Sequence, residues 1–447
     1  MMKYIVLLML LVLGALASAC QPPPGDYEPG TDRIGWVIDQ MNELMMHDVT
    51  NPPLAARFFA YALLAGYEAE TPADPSCPSL AGQLRHYPAI ARPVRLSYSP
   101  RLAALLAMLQ TAGKLQPSGK ALEAKQQVLL DDCRRRGMPA EIATGSQQYA
   151  QRIAAVLLAY AKQDGYYRIS DRPRYTPVAG PGRWYPTPPG YFLPVEPYFS
   201  TIRPFWLDSA AQFQPAPPQA FDPARGSGFY QLMEEVRQTG DSLTPGQRQI
   251  AGFWDCNPFA VQDYGHLQVG LKKMSPGAHW MKITGIACRQ SKLPFGRALQ
   301  IHTVVALTLT DAFICCWSEK YRSNRIRPET AIRRYLDPQW RPLLQTPPFP
   351  EYVSGHSVIS TAAAEVLSHY FGAAYAYTDD TEEEFGLKPR RFASFRQAAE
   401  EAAISRLYGG IHFADAIRQG QVQGRKVGQL VVQRLPALTP SAAVERR

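Results

Sequence analysis

The chain has 447 residues, is 46% hydrophobic and 19% charged, and carries a net charge of +9. That apolar content excludes a disordered or low-complexity protein and suffices for a full core, as one large domain or two smaller ones. The basic excess is small for the length and forms no lysine or arginine run, which argues against nucleic-acid binding and leaves room for a pocket that takes an anion. Forty prolines call for long ordered loops rather than a simple bundle with short connections.

The N-terminus stands apart from the fold. Met1-Met2-Lys3 is a short basic start, and Tyr4 to Ala19 is an apolar run of signal-peptide length, short for a membrane span. It ends Leu16-Ala17-Ser18-Ala19-Cys20, similar to a bacterial lipoprotein signal whose cysteine is acylated. Ala17 stands where such signals usually carry leucine, so ordinary cleavage after Ala19 stays open. Residues 1–19 read as a signal peptide, 20–30 as a tether, and 31–440 as a single all-α domain. No later segment reads as a membrane span. The body is expected to be exported to the periplasm or outer membrane, with a membrane link only through a lipid on Cys20.

Thr31-Asp32 is positioned to cap a first helix to about Met46, and Pro53 to about Tyr67 forms a strongly apolar second. Leu102–Leu115, Ser118–Arg136 and Glu141–Lys162 continue the series. Residues 166–226 then become rich in proline and aromatics, as in Trp184-Tyr185-Pro186-Thr187-Pro188-Pro189-Gly190-Tyr191. Proline excludes regular helix there, and the interleaved rings predict a loop pinned to the surface. Helices resume near Phe229. Ser275-Pro276-Gly277 opens another, Gly296 to about Tyr321 is long and apolar, and Ser357–Phe371, Phe392–Leu407 and Ala416–Leu435 follow. Strand alternation is nearly absent, so the prediction is all-α packed bundles of about a dozen helices.

Three segments within residues 296–435 carry the chemistry. Lys320 and Arg327 lie seven apart in Lys320-Tyr321-Arg322-Ser323-Asn324-Arg325-Ile326-Arg327-Pro328, on one face for as long as the helix lasts. Tyr352-Val353-Ser354-Gly355-His356-Ser357 is a Ser-Gly turn into a helix, whose first amides face an anion. Ser405-Arg406-Leu407-Tyr408-Gly409-Gly410-Ile411-His412 adds an arginine and a histidine around a Gly-Gly bend. Three cations, a hydroxyl, a glycine amide and two histidines make an inventory for holding an oxyanion. One histidine can bond its central atom, and the other can act as acid and base on an apical oxygen.

These segments resemble the vanadium-dependent haloperoxidases and the type-2 phosphatidic acid phosphatases, which share a site. The family pattern is lysine, six residues, Arg-Pro; then Pro-Ser-Gly-His; then Ser-Arg, five residues, His, three residues, Asp. The chain departs from it twice: Val353 replaces the proline, and Asp415 follows His412 by three positions rather than four. The resemblance implies that Lys320, Arg327, Arg406, Ser354 and the Gly355 amide hold equatorial oxygens of vanadate, with phosphate able to occupy the same place. It implies His412 as the ligand to vanadium, or as the phosphorylated nucleophile of a phosphatase. His356 becomes the acid–base group, with Lys320 assisting. Trp317 and Phe349 match aromatics that line the halide side in chloroperoxidase-type members, or are plain core.

Two activities follow from the resemblance. One is a haloperoxidase that oxidises halide with hydrogen peroxide at vanadate; the other is a soluble acid phosphatase acting on a phosphate ester through phosphohistidine. Monomer and homodimer are both compatible with the sequence.

The remaining polar residues read more plainly. Six cysteines, 77, 133, 256, 288, 315 and 316, fit no zinc spacing and suggest one or two disulfides plus buried thiols. His47, His86, His266 and His369 read as surface or loop residues, and His279 and His302 either approach the site or are satisfied core histidines, the second being the plainer reading. Arg322, Arg325, Arg333 and Arg334 read as a solvated face, and Asp379 to Glu384 as a solvated acidic loop.

Overall fold

The computed structural model describes residues 27–91, 97–263 and 267–435. The signal peptide, Cys20, most of the tether and His266 lie outside those residues. Thirteen α-helices, three short 3-10 helices and two short hairpins make up the described secondary structure. The N-terminal helices are α1 Asp32–His47, α2 Pro52–Glu70, α3 Pro100–Leu115, α4 Ala121–Arg135 and α5 Ala140–Lys162. After the proline-rich stretch come α6 Gly228–Asp241, α7 Pro245–Phe253, the antiparallel hairpin of β1 Val261–Asp263 and β2 Gln268–Gly270, and α8 Pro276–Gln290. The remainder is α9 Phe295–Ser323, α10 Pro328–Tyr335, α11 Gly355–Phe371, the antiparallel hairpin of β3 Tyr377–Asp379 and β4 Arg390–Phe392, α12 Phe395–Tyr408 and α13 Ala414–Arg434.

The helix starts follow local chemistry. Side chains of Asn51, Ser99, Ser227, Thr244, Ser275, Ser354 and Ser394 each accept a backbone N–H of the first turn. Thr31 is the exception to expectation. Its backbone is already helical, and its hydroxyl donates to the Leu293 carbonyl at 3.2 Å, so it ties α1 to a distant loop instead of capping it.

The 29-residue α9 joins the two halves, packing on α2 and on α11. Contrary to the sequence reading, it is long and apolar enough to cross a membrane; its apolar window is wholly buried within the fold, as a core helix requires. The helices α11, α12 and α13 form the C-terminal bundle. In α13 a glycine every fourth residue, Gly420, Gly424 and Gly428, faces α11. A methyl group at Gly420 would stand 2.8 Å from Cβ of Ser357 and 2.9 Å from the Ser354 carbonyl, so only glycine allows this approach.

Residues 166–226 form the ordered strap that the aromatics predict. Trp184 is fully buried, and its amide donates to the Asn324 carbonyl at 3.0 Å. The Val195 carbonyl accepts Trp317 Nε1 at 3.1 Å and the Tyr321 hydroxyl at 2.7 Å. Amides of Phe205, Trp206 and Leu207 converge on the buried Asp311 carboxylate at 2.7–3.1 Å. Burial outweighs those three bonds and pushes the Asp311 carboxyl up to about 6.

The expected disulfides are absent: all six described cysteines are buried free thiols. Cys315 and Cys316 are successive residues of α9, about 100° apart around the helix, and cannot face each other. Cys256 and Cys288 each sit against a histidine instead.

Candidate functional site

The three motifs meet at a cavity between α9, α11 and α12. Trp317, Phe349, Gly355, His356, Arg406 and His412 all line it. Lys320, Arg327 and Ser354 stand fully buried immediately behind that lining. Lys320 and Arg327 do not share a helix face as the spacing suggested. The helix α9 ends at Ser323, Asn324 turns the chain in a left-handed conformation (φ 49°), and Arg327 becomes the residue that opens α10.

His412 has a fixed tautomer. Its Nδ1 lies 2.8 Å from Glu351 Oε1, a carboxylate that can only accept, so Nδ1 carries the hydrogen. Its Nε2 lies 3.2 Å from Nη1 of Arg327, which can only donate, so Nε2 presents a lone pair. Burial, then Arg327, Lys320 and Arg406, push the imidazole well below its usual range and keep it neutral.

Glu351 is the functional residue that sequence reasoning missed. Besides His412 it accepts the Phe413 amide at 3.0 Å and Arg325 Nε at 2.7 Å. Asp415 does not reach the histidine. It pairs with both terminal nitrogens of Arg325 at 2.6 and 2.7 Å, which places Arg325 between the two acids. Arg325 is therefore buried and structural, not part of a solvated face. The one available signal was a lone carboxylate in the apolar run Pro347-Pro348-Phe349-Pro350-Glu351-Tyr352-Val353.

The three cations at the cavity have no carboxylate partner among the described ion pairs. Arg327 donates to the Phe349 and Ile411 carbonyls, each at 2.9 Å, and its Nη2 has no hydrogen-bond partner. Arg406 donates to Ser405 Oγ at 2.9 Å and to the Trp254 carbonyl at 2.5 Å. Burial pulls both guanidiniums below their usual range, Arg327 to about 10.

Lys320 Nζ donates to the carbonyls of Pro350, Glu351 and Val353 at 3.0, 3.1 and 2.6 Å. Burial pushes it down to about 7. The three carbonyls oppose that shift, because only the ammonium has three N–H groups to fill them. Lys320 therefore holds the 350–353 segment in place, and its charge acts on the cavity from behind.

His356 is half-buried at the cavity wall, and its Nε2 has no hydrogen-bond partner. Burial, Arg406 and His412 push its pKa well below the usual imidazole range. Ser354 caps α11, accepting the Ser357 amide at 3.4 Å. Trp317 and Phe349 pack with ring centres 5.0 Å apart, and Phe349 also lies 5.0 Å from both Lys320 Nζ and the Arg327 guanidinium. The cavity wall thus alternates apolar rings with buried positive charge. One carboxylate, Asp255, also reaches the wall, and it is paired with Lys273.

This donor set fits a tetrahedral oxyanion such as vanadate. Uncompensated buried cations are costly unless an anion joins them. The unpartnered Arg327 Nη2 and His356 Nε2 supply hydrogen-bonding positions, and His412 Nε2 supplies one lone pair for the central atom.

Residues 300–439 match the family model described as the VCPO second helical-bundle domain. A structure described as the first bacterial vanadium-dependent iodoperoxidase is 41% identical, with a TM-score of 0.86 over 92% of this chain and 98% of that one. Holo and apo structures of a bacterial vanadium-dependent chloroperoxidase share 16% identity and a TM-score of 0.65 over 86% of this chain, covering 93% and 95% of theirs. At that identity they share the fold. No curated protein matches the chain.

Proposed function

The chain belongs to the vanadium-dependent haloperoxidase family, and we propose that it uses hydrogen peroxide to oxidise a halide, iodide foremost, at a vanadate held on His412. The observation that carries this reading is the neutral His412, its Nε2 lone pair facing Arg327 at 3.2 Å, in a site whose other buried cations, Lys320 and Arg406, also have no carboxylate partner among the described ion pairs. The net reaction consumes peroxide, iodide and one proton and yields hypoiodous acid and water.

Bound vanadate would supply Lewis acidity to peroxide without changing its own oxidation state. The protein would do the rest. Glu351 holds the Nδ1 proton of His412 and so keeps Nε2 available as the ligand atom. Arg327 and Arg406, with Ser354 and the Gly355 amide, would hold the oxygens of the bound oxyanion by hydrogen bonds. Lys320 adds positive potential. His356 Nε2 takes a proton from peroxide and returns it to the departing oxygen. Trp317 and Phe349 form a wall that strips water from a large, weakly hydrated halide.

Support for iodide comes from the 41% identical relative. The test uses phosphate-free protein. Vanadate-dependent triiodide formation that added phosphate suppresses is the expected result. Hydrolysis of a chromogenic phosphate ester, inhibited by vanadate and without iodide oxidation, would replace this reading with the phosphatase and return Trp317 and Phe349 to packing.

The sequence also supports export and acylation at Cys20. Palmitate labelling that is lost in C20A is expected; labelling that persists would place the lipid elsewhere, and an unlabelled wild type would favour plain cleavage after Ala19.

A further inference from the structure

Against the cavity wall, which Cys256 itself helps to line, lies a second buried cluster that the halide chemistry does not use. His279, in the first turn of α8, is completely buried and stacks on Trp254 with ring centres 4.6 Å apart. Its Nε2 lies 2.9 Å from Asp379 Oδ2 at the end of β3. The other oxygen of Asp379 is held by the Thr381 amide and hydroxyl at 3.1 and 2.7 Å. Nδ1 faces two further groups: Cys256 Sγ at 3.5 Å and Glu382 Oε1 at 3.4 Å. The acidic stretch 379–384 is therefore not simply a solvated loop, because Asp379 and Glu382 turn inward while Asp380, Glu383 and Glu384 stay exposed.

We propose that Cys256 Sγ, His279 Nδ1 and Glu382 Oε1 form a buried zinc site. The three donor atoms lie within 4.8 Å of one another. Tetrahedral zinc places its nitrogen and sulfur donors roughly 3.5 Å apart and its nitrogen and oxygen donors roughly 3.3 Å apart. The observed separations are 3.5 and 3.4 Å. Glu382 is 7% exposed, and its Oε1 accepts no hydrogen bond and has the His279 ring 3.4 Å away, so a metal shared with His279 and Cys256 would give that oxygen a direct bond. With Nε2–H donated to Asp379, zinc would displace the Nδ1 proton, and Nδ1 would then present its lone pair to the same point as Cys256 and Glu382. A carboxylate on the far nitrogen is the usual support of a metal-binding histidine. One sulfur, one nitrogen and one oxygen suit zinc better than calcium or magnesium, and a three-ligand set leaves the fourth position to water.

The site has a consequence for the oxyanion pocket. Zinc would clamp α8, the β3–β4 turn and the segment after α7 around Trp254. The Trp254 carbonyl takes the Arg406 guanidinium at 2.5 Å, so the metal would fix the residue that positions one of the three cations.

The test is elemental analysis of the full-length protein, followed by chelator dialysis and titration with zinc or cobalt(II). One zinc per chain is expected, together with a near-ultraviolet thiolate-to-cobalt band. C256S is expected to abolish the band and weaken zinc binding at least tenfold, and E382Q to weaken it about tenfold. C288S, which alters the thiol beside His302, is expected to change neither. Wild-type protein without stoichiometric zinc or a cobalt band would overturn the site, as would a band that survives C256S. If C256S does not fold, unchanged zinc affinity in E382Q would overturn it.

Discussion

Two buried polar clusters flank Trp254, and they carry opposite charge. On one side Lys320, Arg327 and Arg406, none of them with a carboxylate partner among the described ion pairs, gather around His412 and His356. On the other side Asp379, Glu382 and Cys256 gather around His279. The histidines respond in opposite directions. Burial and four cations, Arg327, Lys320, Arg406 and Arg325, drive His412 well below its usual range, whereas His279, equally buried, is raised well above it by Asp379. Burial alone would have lowered both, so the neighbours decide the sign. Surplus cations mark the first cluster as a place for an anion, and surplus acids mark the second as a place for a cation.

The largest expected effect is on the anion side. H412A removes the lone pair proposed to bond the central atom, and iodide oxidation is expected to fall on the order of a hundredfold or more in kcat/KM. Activity that persists unchanged would remove His412 from the chemistry.

A third buried histidine calibrates the contrast. His302 is buried with neither a cation cluster nor an acid against it; its Nδ1 donates to the Ala298 carbonyl at 2.7 Å. Burial pushes it down to about 4. The folded chain thus holds fewer protons at this site than the unfolded chain, and stability is lost as pH falls from about 6.5 through 4. The loss attributable to His302 is on the order of 3 kcal/mol by pH 4. Urea midpoints at pH 7 and pH 4.5 are expected to differ less in H302Q than in wild type. An equal difference would mean that burial does not set this pKa.

E351Q sharpens the comparison further. It removes the charge that holds the Nδ1 proton of His412, and vanadate affinity is expected to fall roughly ten- to hundredfold. D415N is expected to cost threefold or less, roughly the scale of one partly exposed ion pair, because Glu351 keeps its bond to the histidine. Isothermal titration of both variants with vanadate decides the order. A larger loss in D415N would return the orienting role to Asp415.

Much of the molecule was legible in the chain itself. Helix starts at Ser275-Pro276 and Ser354-Gly355 follow from side chains that cap their own first turn, a contact made within three or four residues. The all-α character follows from apolar periodicity, and the strap at 166–226 from prolines that forbid helix and rings that need burial. The site motifs were legible because Lys320, Arg327, Ser354, Gly355, His356, Arg406 and His412 lie in three short segments of recognisable pattern.

Other features were decided only by tertiary structure. Glu351 reaches His412 across 61 positions, and Glu382 reaches His279 across 103, with no period or spacing to announce either. Arg325 looked like surface because its partners, Glu351 and Asp415, come from elsewhere. Cys256 looked like core or half a disulfide until a histidine from α8 and an acid from beyond β3 were set beside it. Local hydrogen bonds and periodicity are written in neighbouring residues, so sequence determines them. The charge surrounding a buried group is a sum over segments that meet only when helices pack, and that sum separates an anion site from a cation site.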